Sequence, residues 1–410
     1  MATTGNSTKS TTGLSRRQIS QLYRPVGPKY VTTVGFTPAT GSSSLIANQF
    51  DLSLPIRGFR LVVKGRLVIG TAAFTSVNPE GLLNLLSNIT IQGTNSRQKG
   101  NATLWNIDLA TAWMVQAMFN GRANQFDINA QAGAGGIEVA LPTMPMSTST
   151  TNSPYLNGAT GTYDFRIVLD LPAHPFECAD LFKSGYLIRQ EEWADTLTMG
   201  LTFGAQAGNS TGVLGVAAAT TTCAYTAYGS GGGTPTVDIY TIPVEMGLDI
   251  KDTFLPGFLT RIAQPINTVL QSAGGLNTQI LNMQKQPTAR IYVKVGTGTV
   301  APAFATLSDT NLTTLGITLG GNRNVRNNVD IFAHKNDLCM EYPAAPGPMQ
   351  GYTALDFLQA NNPDSVYPGD KVGEGATFQL VGTVAGVANG FGIIVQEQAL
   401  FLPTGALYSF

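Results

Sequence analysis

This sequence predicts an all-β chain made of two tandem β-sandwiches, and three observations carry the prediction. A series of segments in the first half returns in the same order in the second, apolar residues alternate with period two, and the composition favours turns over charge. The repeat is clearest at residues 311–322, Asn-Leu-Thr-Thr-Leu-Gly-Ile-Thr-Leu-Gly-Gly-Asn, which echo residues 84–95, Asn-Leu-Leu-Ser-Asn-Ile-Thr-Ile-Gln-Gly-Thr-Asn. Upstream, Arg60-Leu61-Val62-Val63-Lys64 returns as Arg290-Ile291-Tyr292-Val293-Lys294. Downstream, residues 169–175 return as 340–346, and each copy leads into a short helix-like piece, 179–182 or 354–358. Residues 196–204 then return as 376–384, and the copies close on strands at 237–243 and 391–403. A shared order of strand, turn, strand, helix, strand, strand means one all-β unit used twice.

The 410 residues accommodate two sandwiches of about 200 residues each. The chain divides into a basic N-terminal arm with a short helix (1–44), a first sandwich with long loop insertions (45–250), a connector (251–287), and a second sandwich with a C-terminal tail (288–410). Lys and Arg number 24 against 25 Asp and Glu, so the net charge of -1 provides no field to attract nucleic acid. Charged residues make up only 12% of the chain, beside 46 Gly and 22 Pro, which leaves a surface of turns and uncharged polar groups that neighbouring copies can cover. Cys178, Cys223 and Cys339 are scattered and odd in number. That argues against a disulfide framework and a zinc site, and places folding in a reducing cytoplasm. The polar N-terminus lacks the apolar core of a signal peptide, and no run of 18 apolar residues could span a bilayer.

Taken in order, the first fifty residues hold Lys9, Arg16, Arg17, Arg24 and Lys29 and no acidic residue. Ser15-Arg16-Arg17-Gln18 has capping-box form, with Leu14 placed to pack on Ile19, so a short helix is expected until Pro25 stops it. Its apolar side, Ile19, Leu22 and Tyr23, lies among arginines. This suits a surface helix on anionic lipid headgroups, or an arm clasping a neighbouring subunit or the underside of its own barrel. Phe59, Leu61, Val63, Leu67 and Ile69 then point one way while Arg60, Lys64 and Arg66 point the other, a half-buried strand. Residues 104–119 change to helical spacing, with Leu109, Trp113 and Met114 on one face and no counterpart expected in the second copy. Residues 130–161 and 205–235, rich in Gly, Ala, Ser and Thr, read as long inserted loops. In the second copy, residues 323–337 replace the insertion between residues 97 and 164, and residues 352–360 are expected to be its helix.

Catalysis needs convergent reactive groups. The two histidines, His174 at a strand end and His334 in an expected loop, lie near no nucleophile motif. Glu191, Glu192 and Asp195 read as a solvated rim, and neither they nor Asp249 and Asp252 have the ligand spacing of a calcium loop. The glycine runs at 133–136 and 231–233 lack the lysine of a phosphate loop. Trp105, Trp113 and Trp193 read as core or interface anchors, because the aromatics do not interleave with basic residues as single-strand binding requires. No catalytic, cofactor-binding or metal residue is therefore expected, and the chain reads as a structural protein, not an enzyme.

Tandem sandwiches, a basic N-terminal helix and no catalytic constellation resemble the double jelly-roll major capsid proteins of the tectivirus and adenovirus lineage. The likeness is closest to those of tailless bacteriophages with an internal membrane. Phe50-Asp51 followed by Gly58-Phe59-Arg60-Leu61-Val62-Val63 looks like the family's lead-in to its first barrel. Residues 165–172, Asp180-Leu181-Phe182 and residues 197–203 look like its later strands and inter-strand helix. The resemblance implies two jelly rolls of about eight strands each, with short helices in inter-strand loops. It implies a homotrimer with a six-sided outline, closed by head-to-tail contacts and tiling an icosahedral virion over a membrane. Arg16, Arg17, Ile19, Leu22, Tyr23 and Arg24 would then face lipid, while residues 130–161 and 205–235 would form an outer crown or a clasp between subunits. The implied partners are further copies, other capsid proteins such as a vertex protein, and internal membrane lipids, with no direct nucleic acid and no cofactor. The rival reading is a carbohydrate- or receptor-binding β-sandwich spike or adhesion protein, which predicts an aromatic-lined groove in place of broad lateral contacts.

Overall fold

The computed structural model describes residues 23–38, 41–47, 49–72, 74–78, 80–95, 100–120, 126–130, 137–140, 160–172, 188, 197–205, 214–217, 219–246, 259–262, 266–269, 274–281, 288–297, 306–320, 323–341, 350–357, 378–386 and 390–400. In the first unit, β1 (Lys29–Gly35), β2 (Ser42–Ala47), β3 (Ile56–Gly70), β4 (Leu86–Asn95), β5 (Gly100–Ile107), β6 (Gly161–Pro172), β7 (Thr198–Phe203) and β8 (Thr236–Met246) form two sheets. Their strand orders are β1-β8-β3-β6 and β2-β7-β4-β5. The second unit contains β9 (Ile266–Val269), β10 (Gly275–Leu281), β11 (Thr288–Thr297), β12 (Leu312–Leu319), β13 (Arg323–Asp330), β14 (Tyr352–Asp356), β15 (Phe378–Val384) and β16 (Gly390–Leu400). Their orders, β9-β16-β11-β14 and β10-β15-β12-β13, repeat the first unit with every strand shifted by eight. All of these pairings are antiparallel, and the chain alternates between the two sheets of each unit as a jelly roll does. The chain is a double jelly roll.

Period two builds the cores. Along β3, Phe59, Leu61, Val63, Leu67 and Ile69 are buried while Arg60, Lys64 and Arg66 stand on the other face. They pack with Phe165, Ile167 and Leu169 of β6 and Val237 and Ile239 of β8, against Ile89 and Ile91 of β4 and Met199 and Leu201 of β7. The second core sets Ile291, Val293 and Val295 of β11, Leu355 of β14 and Ile394 of β16 against Leu315 and Ile317 of β12 and Leu380 of β15. Register is shared in detail: Arg60 stands opposite Asp170, and Arg290 opposite Asp356. Five residues along, Gly65 faces Phe165 and a Cβ there would come within 2.9 Å of the ring. In the second unit the large and small partners change strands. Val295 donates its N–H to the carbonyl of Gly351, where a Cβ would lie 2.8 Å from that of Leu307 and φ is +77°.

Several expectations are corrected. The helical spacing begins later than residue 104, since β5 runs to Ile107 and the helix α1 is Leu109–Asn120. It does have a counterpart, α2 (Ile331–Glu341), likewise between the fifth and sixth strands of its unit. The likeness is hidden because residues 109–115 are buried all round, whereas α2 buries only Ile331, Lys335 and Leu338. His334 consequently lies on this helix, not in a loop, with Nε2 2.7 Å from the Leu315 carbonyl. The pairing of 169–175 with 340–346 fails, because Leu169 is in β6 while Met340 ends α2; the partner of β6 is β14. β14 was expected to be helical, and all five of its residues are buried, so no alternation betrays a strand. The supposed connector 251–287 supplies Leu259–Ile262, β9 and β10, each paired into the second unit. The supposed arm supplies β1 and the start of β2.

Tyr23 and Arg24 are not helical: Tyr23–Pro25 is a strand in which they pair with Met246 and Glu245. Within the expected loops, Ile137–Ala140, Gly215–Ala217 and Thr222–Thr226 are strands. Residues 231–233 form an exposed bend. Arg16, Arg17, Ile19, Leu22, His174, Glu191, Glu192, Trp193, Asp195, Asp249, Asp252 and the glycines at 133–136 lie outside the described residues.

Candidate assembly interface

The two units meet along a seam in which the outer face of the β11-β14-β16 sheet covers one end of the first jelly roll. Tyr292, Tyr352, Ala354, Ile393 and Val395 join the apolar cluster of the first unit, not that of the second. Alternation explains this: Ile291, Val293 and Val295 point into their own core, so Arg290, Tyr292 and Lys294 must point outward.

At the centre of the seam is a buried polar cluster. Lys294 Nζ donates to Glu80 Oε1 at 2.7 Å and to Asp108 Oδ2 at 3.3 Å, with all three side chains at most 5% exposed. Tyr352 donates its hydroxyl to the same Glu80 oxygen, and the Lys294 ammonium lies 5.7 Å from the Tyr352 ring centre. Local structure fixes the carboxylates. Glu80 precedes the short 3-10 turn Gly81–Leu85, and Asp108 caps α1 by accepting the Thr111 N–H at 2.9 Å. Burial pushes the Glu80 carboxyl up, against the pull of Lys294. Burial would lower the Lys294 ammonium, but Asp108 and Glu80 more than reverse it. Burial, with Glu80 and Asp108 beside it, holds the Tyr352 hydroxyl well above its ordinary value. This cluster joins two surfaces.

The sheet edges and the outer side of α2 are different. β2 and β10, equivalent edge strands, expose Leu45 (70%) and Leu276 and Ile280 (59% and 57%). Phe332 and Met340 on α2 are 62% and 75% exposed. Open strand edges carrying aliphatic residues are association surfaces by default. Sequence reasoning chose the N-terminal residues instead. Tyr23 and Arg24 are brought to β8, away from the seam cluster's residues in sequence and element, and Arg16, Arg17, Ile19 and Leu22 are outside the described residues. Arg290 to Lys294 is visible in the sequence only as a repeat of β3, and nothing local marks it as the seam. Trp105 and Trp113 are core anchors, 1% and 0% exposed.

The fold places the chain in one architectural class, the double jelly roll. Similar solved structures include the major capsid protein of Sulfolobus turreted icosahedral virus, 14% identical, with TM-score 0.55 over 92% of this chain and 99% of that one. The Faustovirus major capsid protein is 9% identical, with TM-score 0.54 over 92% of this chain and 90% of that one. The PBCV-1 virus capsid is 10% identical, with TM-score 0.50 over 92% and 93%. No family model matches the sequence, and no curated protein matches it. At such identities the likeness is one of fold.

Proposed function

We propose that this chain is the major capsid protein of an icosahedral virus, acting by self-assembly and not by turnover. The observation that carries the reading is the seam. One jelly roll is built to pack its sheet face on the helical end of another, and each chain holds two such units with a face of each kind left over. Head-to-tail use of the leftover faces closes a ring of copies, and three chains make six similar barrels. Such homotrimers would tile the facets of the virion and meet vertex proteins at its corners.

The basic segment ending in Leu22 would reach the internal membrane, with Arg16 and Arg17 toward anionic headgroups and Ile19 and Leu22 toward the acyl boundary. Tyr23 and Arg24 root it in the first sheet. Light scattering tests the central claim: a species of about three times 43.2 kDa is expected, and a monomer at every concentration overturns it. Protein lacking residues 1–22 should still trimerise but bind anionic liposomes less, most visibly at low salt. Equal binding by the two forms would remove the membrane role.

A further inference from the structure

The two surfaces joined in the seam each have an equivalent elsewhere in the chain that is less covered. α1 is covered: residues 109–115 are all buried, and Asp108 at its cap receives Lys294. α2 buries Ile331 in the core of its own unit and Leu338 in the seam cluster, while Phe332 is 62% exposed and Val329, at the end of β13, 38%. Counted from the capping aspartates, Phe332 stands where α1 has Ala110, which is fully buried. Asp330 is itself such a cap, accepting the Phe332 N–H at 2.7 Å as Asp108 accepts that of Thr111 at 2.9 Å. It is exposed and pairs with no lysine among the described residues, Lys335 of the same helix holding Asp309 instead.

The opposite surface shows the same contrast. Lys64 occupies on β3 the place of Lys294 on β11, four residues beyond an arginine paired with an aspartate across the sheet. Lys294 bridges two carboxylates and is 1% exposed; Lys64 holds Asp238 at 2.5 Å and is 35% exposed. On this face Arg60 and Arg66 are held by Asp170 and Asp164, and Arg166 lies over Tyr228, while the end of β13 and α2 present Asp330 and Asp337.

We propose that the outer side of α2 and the end of β13 dock on the outer face of β3, β6 and β8 in a second copy of this chain, with Lys64 bridging its own Asp238 and the second copy's Asp330. The contact repeats between chains the seam already formed within one, and Phe332 fills against the sheet the space that α1 fills with a smaller residue. The inference rests on the self-assembly reading and specifies which faces perform it. Because donor and acceptor faces differ, the contact is heterologous and propagates around a ring.

Disulfide trapping tests it. Lys64→Cys and Asp330→Cys copies, carrying tags of different length, are co-expressed and oxidised; tagged wild-type copies set the background from Cys339, which is exposed on α2. A mixed dimer of about twice 43.2 kDa on a denaturing gel is expected from the pair and from neither variant alone. Wild-type protein that is oligomeric, with no mixed dimer from the pair, overturns this docking and leaves self-assembly standing. Wild-type protein that remains monomeric overturns both. Phe332→Asp provides a reading independent of the cysteines. As an exposed substitution it should leave Tm unchanged, yet raise the concentration of half-assembly by roughly tenfold or more. Unchanged assembly of Phe332→Asp would also overturn the docking.

Discussion

The outer faces of β3 and β11 carry matching residues in opposite surroundings. Arg60–Asp170 and Arg290–Asp356 are the same ion pair at the same register, one with side chains 32% and 22% exposed, the other 0% and 3%. Lys64 meets Asp238 beside solvent, whereas Lys294 meets Glu80 and Asp108 beneath another jelly roll. An exposed pair exchanges hydration for attraction nearly evenly, while a buried one has lost its water and depends on its partner. The difference teaches that one set of residues can serve as a solvated surface or as an interface, depending on what covers it.

The sharpest way to break the comparison is to truncate both lysines. Lys294→Ala strands two buried carboxylates and should cost about 3–5 kcal/mol in denaturant unfolding. Lys64→Ala in the monomer should cost under about 1 kcal/mol. Similar costs for the two would mean that the seam does not govern the cluster.

The cores offer a second contrast. Gly65→Val places at β3 the residue that β11 carries at Val295, but Pro235 and Phe165 already occupy the space. About 1–3 kcal/mol of destabilisation is expected from overpacking. Combined with Phe165→Gly it should cost less than the sum of the two single changes, since the second unit pairs Val295 with Gly351. Simple additivity would show that the exchange of large and small residues is not the compensation it resembles.

The pH dependence should separate the faces more gently. The Lys294 value is raised in the folded state, so its contribution is present below the ordinary 10.5 and is lost as pH climbs through the raised value. Glu80 is also raised, so its contribution is present below 4.5 and is lost as pH rises through its folded value. Glu80→Gln should therefore flatten the stability profile above pH 4.5, and Lys294→Met the alkaline limb. Unchanged profiles would place the titration elsewhere. The smallest effect is chemical. Cys339 is exposed and should label at neutral pH, while burial pushes the Cys223 thiol up to about 11 and should leave it slow. Equal labelling rates measured by mass spectrometry would contradict the burial of Cys223.

Much of the fold was legible where one face of a strand is wet. Phe59 to Ile69 alternates because β3 has a solvent side, and the echoes from β3 to β11, β4 to β12 and β7 to β15 are all preserved in the sheets. Where both faces are buried the pattern vanished, which is why β14 read as a helix and the equivalence of α1 and α2 went unseen. Among the site residues, Lys294 was visible as half of a repeat, but Glu80 and Asp108 lie 214 and 186 residues away from it, and no local pattern joins them. The sequence by itself determined two similar all-β units, because alternation and turn chemistry act over a few residues. Only the tertiary structure decided which copy of the shared face is buried, because burial of a charge depends on what long-range packing sets against it.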